Sequence, residues 1–231
     1  MIKGLTEYEK YKVIRPVIGD CTYDRYGMPV LKKTNLSTLN WEGLKAIGIQ
    51  NASPKTSNPN TIVMMFSYDK KLLALWNNPL KKVPLFQGFA AVGTPDFSIY
   101  PTMNTNEIRH NIYMSRWLGV TWQNYHCRVL PTVGWALPDT YDICFSGLEK
   151  GSVVIISTIG CQDHKEEFLN GFKEMKKRIE PPLIIVFGDM ISGMTGNFLN
   201  FRYTEVFCRK EKYEQLRIDG IPRVFTIKEA S

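Results

Sequence analysis

One aspartate and one arginine of this chain combine a reactive side chain with a suggestive position. Asp96 follows an apolar run and is preceded by Pro95, and Arg116 lies in a helical pattern beside Trp117. A carboxylate at the end of a strand can act as a general base or a metal ligand, and a guanidinium can clamp a phosphate. We therefore predict Asp96 and Arg116 as catalytic residues. The alternatives are a turn-capping role for Asp96 and an ion pair or solvated face for Arg116.

Further residues are predicted to bind a substrate. Arg109 shares a helical face with Arg116 and could contact phosphate, whereas Tyr100 and Trp135 could stack on a base or a sugar. Trp135 could instead seal one end of the sheet. Hydroxyl and glycine residues at strand ends complete the predicted binding set: Thr132, Ser157, Thr158 and Gly188.

Other chemistry finds weaker support in the residue spacing. Cys161 and His164 could form a thiolate pair, but packed thiols are the commoner arrangement. The three histidines lack metal-site spacing, and no cofactor is indicated beyond the open option of a divalent metal. Asp69 and Asp189, each at the end of a predicted strand, are the candidates for a second carboxylate.

Apolar runs alternating with helical patterns predict the elements that position these residues. The predicted strands are Thr61–Phe66, Gln87–Val92, Arg128–Val133, Val153–Ile156 and Leu183–Phe187. Repeated βα units favour an α/β fold with a mostly parallel sheet, either a small or incomplete TIM-like barrel or a doubly wound open sheet. In either fold the turns after the strands share one edge, where ligands bind. We expect Asp96, Tyr100, Arg116, Thr132, Trp135, Ser157 and Thr158 to line a pocket there.

Capping residues and apolar periodicity predict several helices. Asn104 and Glu107 have capping-box spacing before a helix that reaches about Tyr125. Asp163 is predicted to cap a helix whose apolar residues recur at steps of three and four: Phe168, Phe172, Met175 and Ile179. Trp41, Leu44 and either Ile47 or Ile49 fall near helical spacing and predict a further short helix around Trp41 to Ile47.

The chain is expected to form a single domain. Residues 1–60 are predicted to be an arm packed on the core, and residues 61–231 the α/β core with a C-terminal β-hairpin. In that extension, Phe198–Phe207 and Pro222–Ile227 are predicted strands and Arg209–Ile218 a helix.

Composition limits the classes of function. The 231 residues are 44% hydrophobic and 22% charged, without an apolar run of membrane-spanning length or the apolar stretch of a signal peptide near the start. We expect a cytoplasmic protein without a membrane partner. The net charge of +7 permits a polyanionic partner.

Several motifs in order resemble a known family. They include Trp76-Asn77-Asn78-Pro79, Thr94 to Tyr100, Arg116-Trp117-Leu118-Gly119, Val129 to Trp135, Phe145 to Leu148 and Ser157 to Gly160. From Met28 to about Asn197 the chain resembles the prokaryotic and phage family known as domain of unknown function 4417. The resemblance implies an origin in phages and mobile genetic elements, and therefore the cytoplasm of a bacterial host. It implies no activity.

Two hypotheses follow for function, and whether the protein is an enzyme stays open. In the first, a mobile-element protein binds nucleic acid or a nucleotide phosphate in the pocket and could act on phosphodiesters. In the second, a non-catalytic interaction protein binds a host protein, for example as an antagonist of a host defence system.

Overall fold

A computed structural model describes residues 15–37, 39–203 and 206, together with the strand at 224–227. The strands are β1 (Lys45–Gly48), β2 (Thr61–Met64), β3 (Ala91–Gly93), β4 (Val129–Leu130), β5 (Val154–Ser157), β6 (Ile184–Phe187), β7 (Gly196–Phe201) and β8 (Val224–Ile227). The α-helices are α1 (Asp69–Asn77), α2 (Val83–Phe86), α3 (Thr105–Asn124), α4 (Tyr141–Cys144) and α5 (Lys165–Ile179), with 3₁₀ turns at Ile49–Asn51 and Pro138–Thr140.

The strands follow one another across the structure in chain order. Strands β1 to β4 form one parallel four-stranded sheet; β5, β6 and β7 are parallel in a second, to which β8 adds an antiparallel edge. A parallel bridge between Thr132 and Ile155 joins the two sheets. The Val133 N–H donates to the Ile155 carbonyl and the Ile155 N–H to the Pro131 carbonyl, both at 2.8 Å. A doubly wound sheet reverses its strand order at one point, and this order does not reverse.

The joined sheet is curved around an apolar interior. Phe66, just after β2, stacks on Phe187 of β6 with ring centroids 4.7 Å apart, although those strands are not neighbours. One buried cluster takes side chains from β1 through β7: Ala46, Ile62, Met64, Ala91, Leu130, Ile155, Ile185, Phe187, Leu199 and Phe201. Among the described residues, no strand pairing closes the sheet. The predicted α/β fold with a mostly parallel sheet is confirmed.

Helices cover the outer face of this sheet. Val63 and Val92 point out to α1 and α3, where Trp117 and Trp122 are fully buried. Val154 and Val186 pack against the predicted apolar stripe of α5. The alternation of inner and outer side chains explains why the strands are apolar throughout.

Helix α3 begins as its sequence predicts. The Asn104 side chain accepts the Asn106 N–H at 2.9 Å, and the Glu107 carboxylate accepts the Asn104 N–H at 3.0 Å. This reciprocal capping box fixes the start of the longest helix in the described chain. No helix among the described residues is long and apolar enough to cross a membrane.

Some local predictions are wrong. Lys45–Gly48 is a strand, not part of a helix, because alternate residues are buried and Ala46 faces the sheet interior. Asp163 makes no cap; His164 occupies the N-cap position of α5, without a side-chain capping bond. β1 belongs to the main sheet, and the division of the chain at residue 60 stays a prediction.

At the C-terminal end, β7 and β8 pair antiparallel, which confirms the predicted hairpin, although β7 spans Gly196–Phe201 and the predicted strand was Phe198–Phe207. The predicted helix Arg209–Ile218 lies outside the described residues.

Candidate functional site

A cavity of about 740 Å³ opens at the carboxyl ends of β3, β4 and β5. Its walls are residues 96–101 after β3, 133–137 after β4, and 157 and 159–161 at the end of β5. His164, Glu167 and Phe168, at the start of α5, complete it. The sequence placed these three turns on one edge, and the structure brings them together around a single space.

Threonine hydrogen bonds hold the first two turns together. The Thr132 N–H donates to Thr94 Oγ1 at 2.9 Å, and Thr132 Oγ1 donates to the Thr94 carbonyl at 2.6 Å. Ser115 on α3 also donates to Thr94 Oγ1, at 3.0 Å. All three residues are buried, so this network fixes the spacing of the β3 and β4 ends beneath the cavity.

Asp96 is the polar group that distinguishes the cavity. Its backbone N–H donates to the Met65 carbonyl at 3.3 Å, and its half-buried side chain reaches solvent through the cavity. Its carboxylate accepts no hydrogen bond from the residues that the structure describes. Burial, with a further contribution from the negative charge of Asp69, raises the pKa of Asp96 to about 7. The protein thus holds a carboxyl group that gains or loses a proton near neutral pH.

Asp69 is the second carboxylate that the sequence left undecided. It lies in the first turn of α1, and its Oδ1 accepts the Ser98 N–H at 3.1 Å, which ties α1 to the loop after β3. Asp69 does not line the cavity and acts on Asp96 through its charge. Asp189 also lies outside the lining, where its carbonyl accepts a hydrogen bond from the Gln162 side chain.

Aromatic side chains form much of the remaining wall. The Trp135 ring lies 5.0 Å from the Phe168 ring and 6.0 Å from the Phe145 ring, measured between centroids. It sits directly over Gly171 of α5, where a Cβ atom would come within 2.1 Å of the indole. Tyr100, which is 59% exposed, stands at the mouth. Planar faces of this kind suit a flat ligand.

The charged groups of the lining are acidic. Asp96 and Glu167 are its carboxylates, and no lysine or arginine belongs to it. Cys161 and His164 both line the cavity, but the only hydrogen bond described between them joins the His164 N–H to the Cys161 carbonyl. Burial and the nearby Asp96 raise the pKa of the Cys161 thiol, which disfavours the thiolate that nucleophilic catalysis needs.

Arg116 does not reach the cavity, contrary to the pocket predicted from the sequence. It is completely buried, and its guanidinium donates to the carbonyls of Thr132, Cys144 and Ser146, each at 3.1 Å. Burial lowers the pKa of Arg116 to about 10, so the group stays charged at neutral pH. In this arrangement all three guanidinium nitrogens of Arg116 donate to backbone carbonyls, which anchors the β4 turn and the end of α4, and Arg116 does not line the cavity.

The other predicted binding residues divide between cavity and scaffold. Tyr100, Trp135 and Ser157 line the cavity. Thr132 and Thr158 are buried beneath it, and Thr158 Oγ1 donates to the Phe187 carbonyl at 3.3 Å. A scaffold role also fits Gly188, which has a φ of +111°, and a Cβ there would lie 2.5 Å from Thr158 Oγ1.

Arg109 is exposed on α3 and lies outside the lining. The sequence also left open a bound divalent metal. Within the described ranges, no three His, Cys, Asp or Glu side chains are grouped to hold an ion.

The sequence reasoning missed the contribution of α5. Glu167 and Phe168 face the cavity because α5 starts right after the β5 turn, so its first turns rise from the same edge. The spacing of strand, turn and helix start contains that signal. Leu137 and Ile159 also line the cavity at its mouth, where they are 44% and 48% exposed. No pattern in the sequence predicted them.

Comparison with known proteins gives relatives encoded by mycobacteriophages. The chain is 37% identical over 126 residues to the Gene 1 protein of Mycobacterium phage D29, covering 53% of this chain and 47% of that protein. It is 36% identical over 128 residues to the Gene 1 protein of Mycobacterium phage L5, covering 54% and 56%. The chain therefore spans about half the length of the curated relatives it matches.

No solved structure matches the chain. A family model matches residues 22–205, a range that contains every residue of the cavity lining. The chain belongs to the family described as domain of unknown function (DUF4417).

Proposed function

We propose that this protein binds nucleic acid or a nucleotide through the base, which enters the cavity at the ends of β3, β4 and β5. The observation that carries the proposal is the Asp96 carboxyl, which faces an aromatic cavity and accepts no hydrogen bond from the described protein. The half-buried carboxyl reaches solvent only through the cavity, so a ligand in the cavity that donates to it would replace its hydrogen bonds to water.

The size and shape of the cavity suit such a ligand. Its volume of about 740 Å³ falls within the roughly 300–1,000 Å³ of small-molecule sites. Trp135 and Phe168 offer apolar surface, and Tyr100 is exposed at the mouth. Every base has a flat face that can stack on aromatic side chains, whereas a phosphate does not.

The charge of the cavity favours the base over the phosphate. Asp96 and Glu167 would repel a phosphate, and the lining holds no lysine or arginine to offset them. We therefore propose that the phosphate of the ligand lies outside the cavity, whereas the sequence hypothesis placed it inside. The net charge of +7 supports attraction of a polyanion to the protein as a whole.

Action on phosphodiesters draws less support than binding. Asp96 remains a candidate general base, because its pKa of about 7 matches the range in which such a group works. The proposed phosphate clamp, Arg116, is occupied by backbone carbonyls. Binding without cleavage is accordingly the function that we propose.

The test is a binding titration of the purified chain with the four nucleoside monophosphates and with single- and double-stranded oligonucleotides over a salt series. We expect monophosphates and single strands to bind, with affinity for the strands falling as salt increases. Tyr100→Ala should weaken binding at least several-fold, since a base–aromatic stack contributes about 1–3 kcal/mol.

Tyr68→Ala is the matched control, because Tyr68 is 81% exposed and lies outside the lining. It should bind as the unmodified chain does. Failure of every nucleotide and oligonucleotide to bind at low salt would contradict the proposal.

A protein partner is the second candidate, and the mouth of the cavity favours it. Tyr100, Leu137 and Ile159 together expose apolar surface there. Exposed apolar groups around a depression are common where a partner inserts a side chain. Retained capture of a host protein by a chain that binds no nucleotide would support this alternative, including antagonism of a host defence system.

A further inference from the structure

We infer that the cavity selects guanine, whose ring N–H and neighbouring amino group would donate side by side to the two oxygens of the Asp96 carboxylate. This inference deepens the proposed function and rests on it.

The first step concerns the hydrogen-bond donors available to the Asp96 carboxylate. An ionised carboxylate has two oxygens that accept hydrogen bonds. For Asp96, no described residue donates to either oxygen, and the lining contains no lysine or arginine to pair with it. A ligand that supplies two adjacent N–H donors satisfies both oxygens at once, as a bidentate pair does.

The second step compares the base edges. Guanine presents two neighbouring donors on its pairing edge, whereas adenine and cytosine present one donor beside an acceptor. An acceptor placed against an ionised oxygen is repelled, so those bases fit the carboxylate poorly. Hypoxanthine has the ring N–H of guanine without the amino group, and it isolates the second hydrogen bond.

The third step is the position of Asp96 relative to the stacking surface. A Cβ on Gly134 would lie 3.9 Å from Asp96 Oδ1, so the backbone of the β4 turn passes beside the carboxyl. Trp135 is the next residue of that turn, and its ring lines the same cavity. A base that reaches Asp96 with its edge is therefore placed beside an aromatic side chain.

Other titratable groups surround this site and enter its pH dependence. Asp69 on α1 acts on Asp96 by charge, Cys161 lies close enough for Asp96 to raise its pKa, and His164 and Glu167 line the cavity. Guanine binds the ionised carboxylate, so its affinity should decrease as the pH falls below about 7. A base edge with one donor and one acceptor would instead bind the neutral carboxyl better at low pH.

The experiment is calorimetric titration of the full chain with guanosine, inosine and adenosine at pH 8 and pH 6. We expect guanosine to bind about tenfold more tightly than inosine or adenosine at pH 8, the factor that about 1.4 kcal/mol supplies. Its affinity should decrease at pH 6. In Asp96→Asn, guanosine should lose its advantage over inosine and its dependence on pH.

Asp20→Asn is the matched control, since Asp20 is exposed and outside the lining, and it should leave both effects intact. Equal binding of all three nucleosides, or a preference for adenosine, would overturn the guanine inference and leave nucleotide binding standing. Tight binding of agmatine, a guanidinium probe, without any nucleoside would overturn both proposals in favour of an arginine-bearing partner. Absence of binding by every probe would also overturn both.

Discussion

Arg116 and Asp96 are two ionisable side chains near the β4 turn, and their surroundings differ in burial and in hydrogen bonding. Arg116 is completely buried and donates to the carbonyls of Thr132, Cys144 and Ser146. Asp96 faces the cavity, and its carboxylate has no hydrogen-bond donor in the described chain. A buried guanidinium whose three nitrogens all donate to backbone carbonyls stabilises the fold, whereas a carboxyl beside a cavity without a donor among the described residues can accept a hydrogen bond from a ligand.

The two groups are also connected through the backbone. Arg116 binds the Thr132 carbonyl, and Gly134, which follows closely, lies beside the Asp96 carboxyl. The position of the cavity wall thus depends on the hydrogen bonds of Arg116, even though Arg116 does not line the cavity. Variants at each site should separate stability from binding.

Arg116→Met should have the largest effect, because it leaves three buried carbonyls without donors. We expect the free energy of unfolding to decrease by about 3–5 kcal/mol, as when one partner of a buried charged network is removed. Urea denaturation followed by circular dichroism measures it. Arg109→Met, exposed on the same helix, is the control and should change stability by no more than about 0.5 kcal/mol. A stable Arg116→Met chain that fails to bind nucleotides would instead make Arg116 a ligand residue.

Asp96→Asn should act in the opposite direction and only at higher pH. The pKa of Asp96 in the folded chain is about 7, against 3.8 ordinarily, so the folded state holds a proton that the unfolded state releases. Wild-type stability should therefore fall as the pH rises from about 4 to 7. The Asn variant avoids this loss and should be more stable at pH 8 by at most about 4 kcal/mol. Denaturation midpoints of the wild type and of the Asn variant at pH 5 and pH 8 test this. A difference in stability between the two chains that is the same at both pH values would contradict it.

Gly171→Ala should be a smaller perturbation, directed at the aromatic wall. The added methyl group would meet the Trp135 indole at about 2 Å, so the ring must move, at a cost of about 1–3 kcal/mol. In a Trp135→Ala background the same change should stabilise the protein by up to about 1 kcal/mol, because alanine favours a helix over glycine. Thermal unfolding of the four chains gives the comparison. Destabilisation in both backgrounds would show that Trp135 does not occupy this contact.

The sequence predicted the parts of this molecule that local patterns determine. Apolar runs between helical patterns gave the parallel strands and the edge where Asp96, Tyr100, Trp135 and Ser157 meet. The capping box at Asn104 was readable because its two bonds join residues only three apart.

Features that depend on tertiary packing were not readable in the same way. Arg109 and Arg116 share a helical period, yet one is exposed and the other completely buried, because α4 and the β4 turn cover only the second. Strand β1 is so short that its residues fit a helical spacing equally well. Its pairing with β2 decides between the two.

The most direct test of the account is the titration of the Asp96 carboxyl by nuclear magnetic resonance, assigned with the Asp96→Asn variant, without ligand and with guanosine monophosphate. We predict a pKa near 7 in the free protein and a lower pKa when the nucleotide is bound, because the base donates to the ionised form. A pKa near the ordinary 3.8, unchanged by nucleotide, would show that Asp96 is a solvated turn residue and that the cavity is not a nucleotide site.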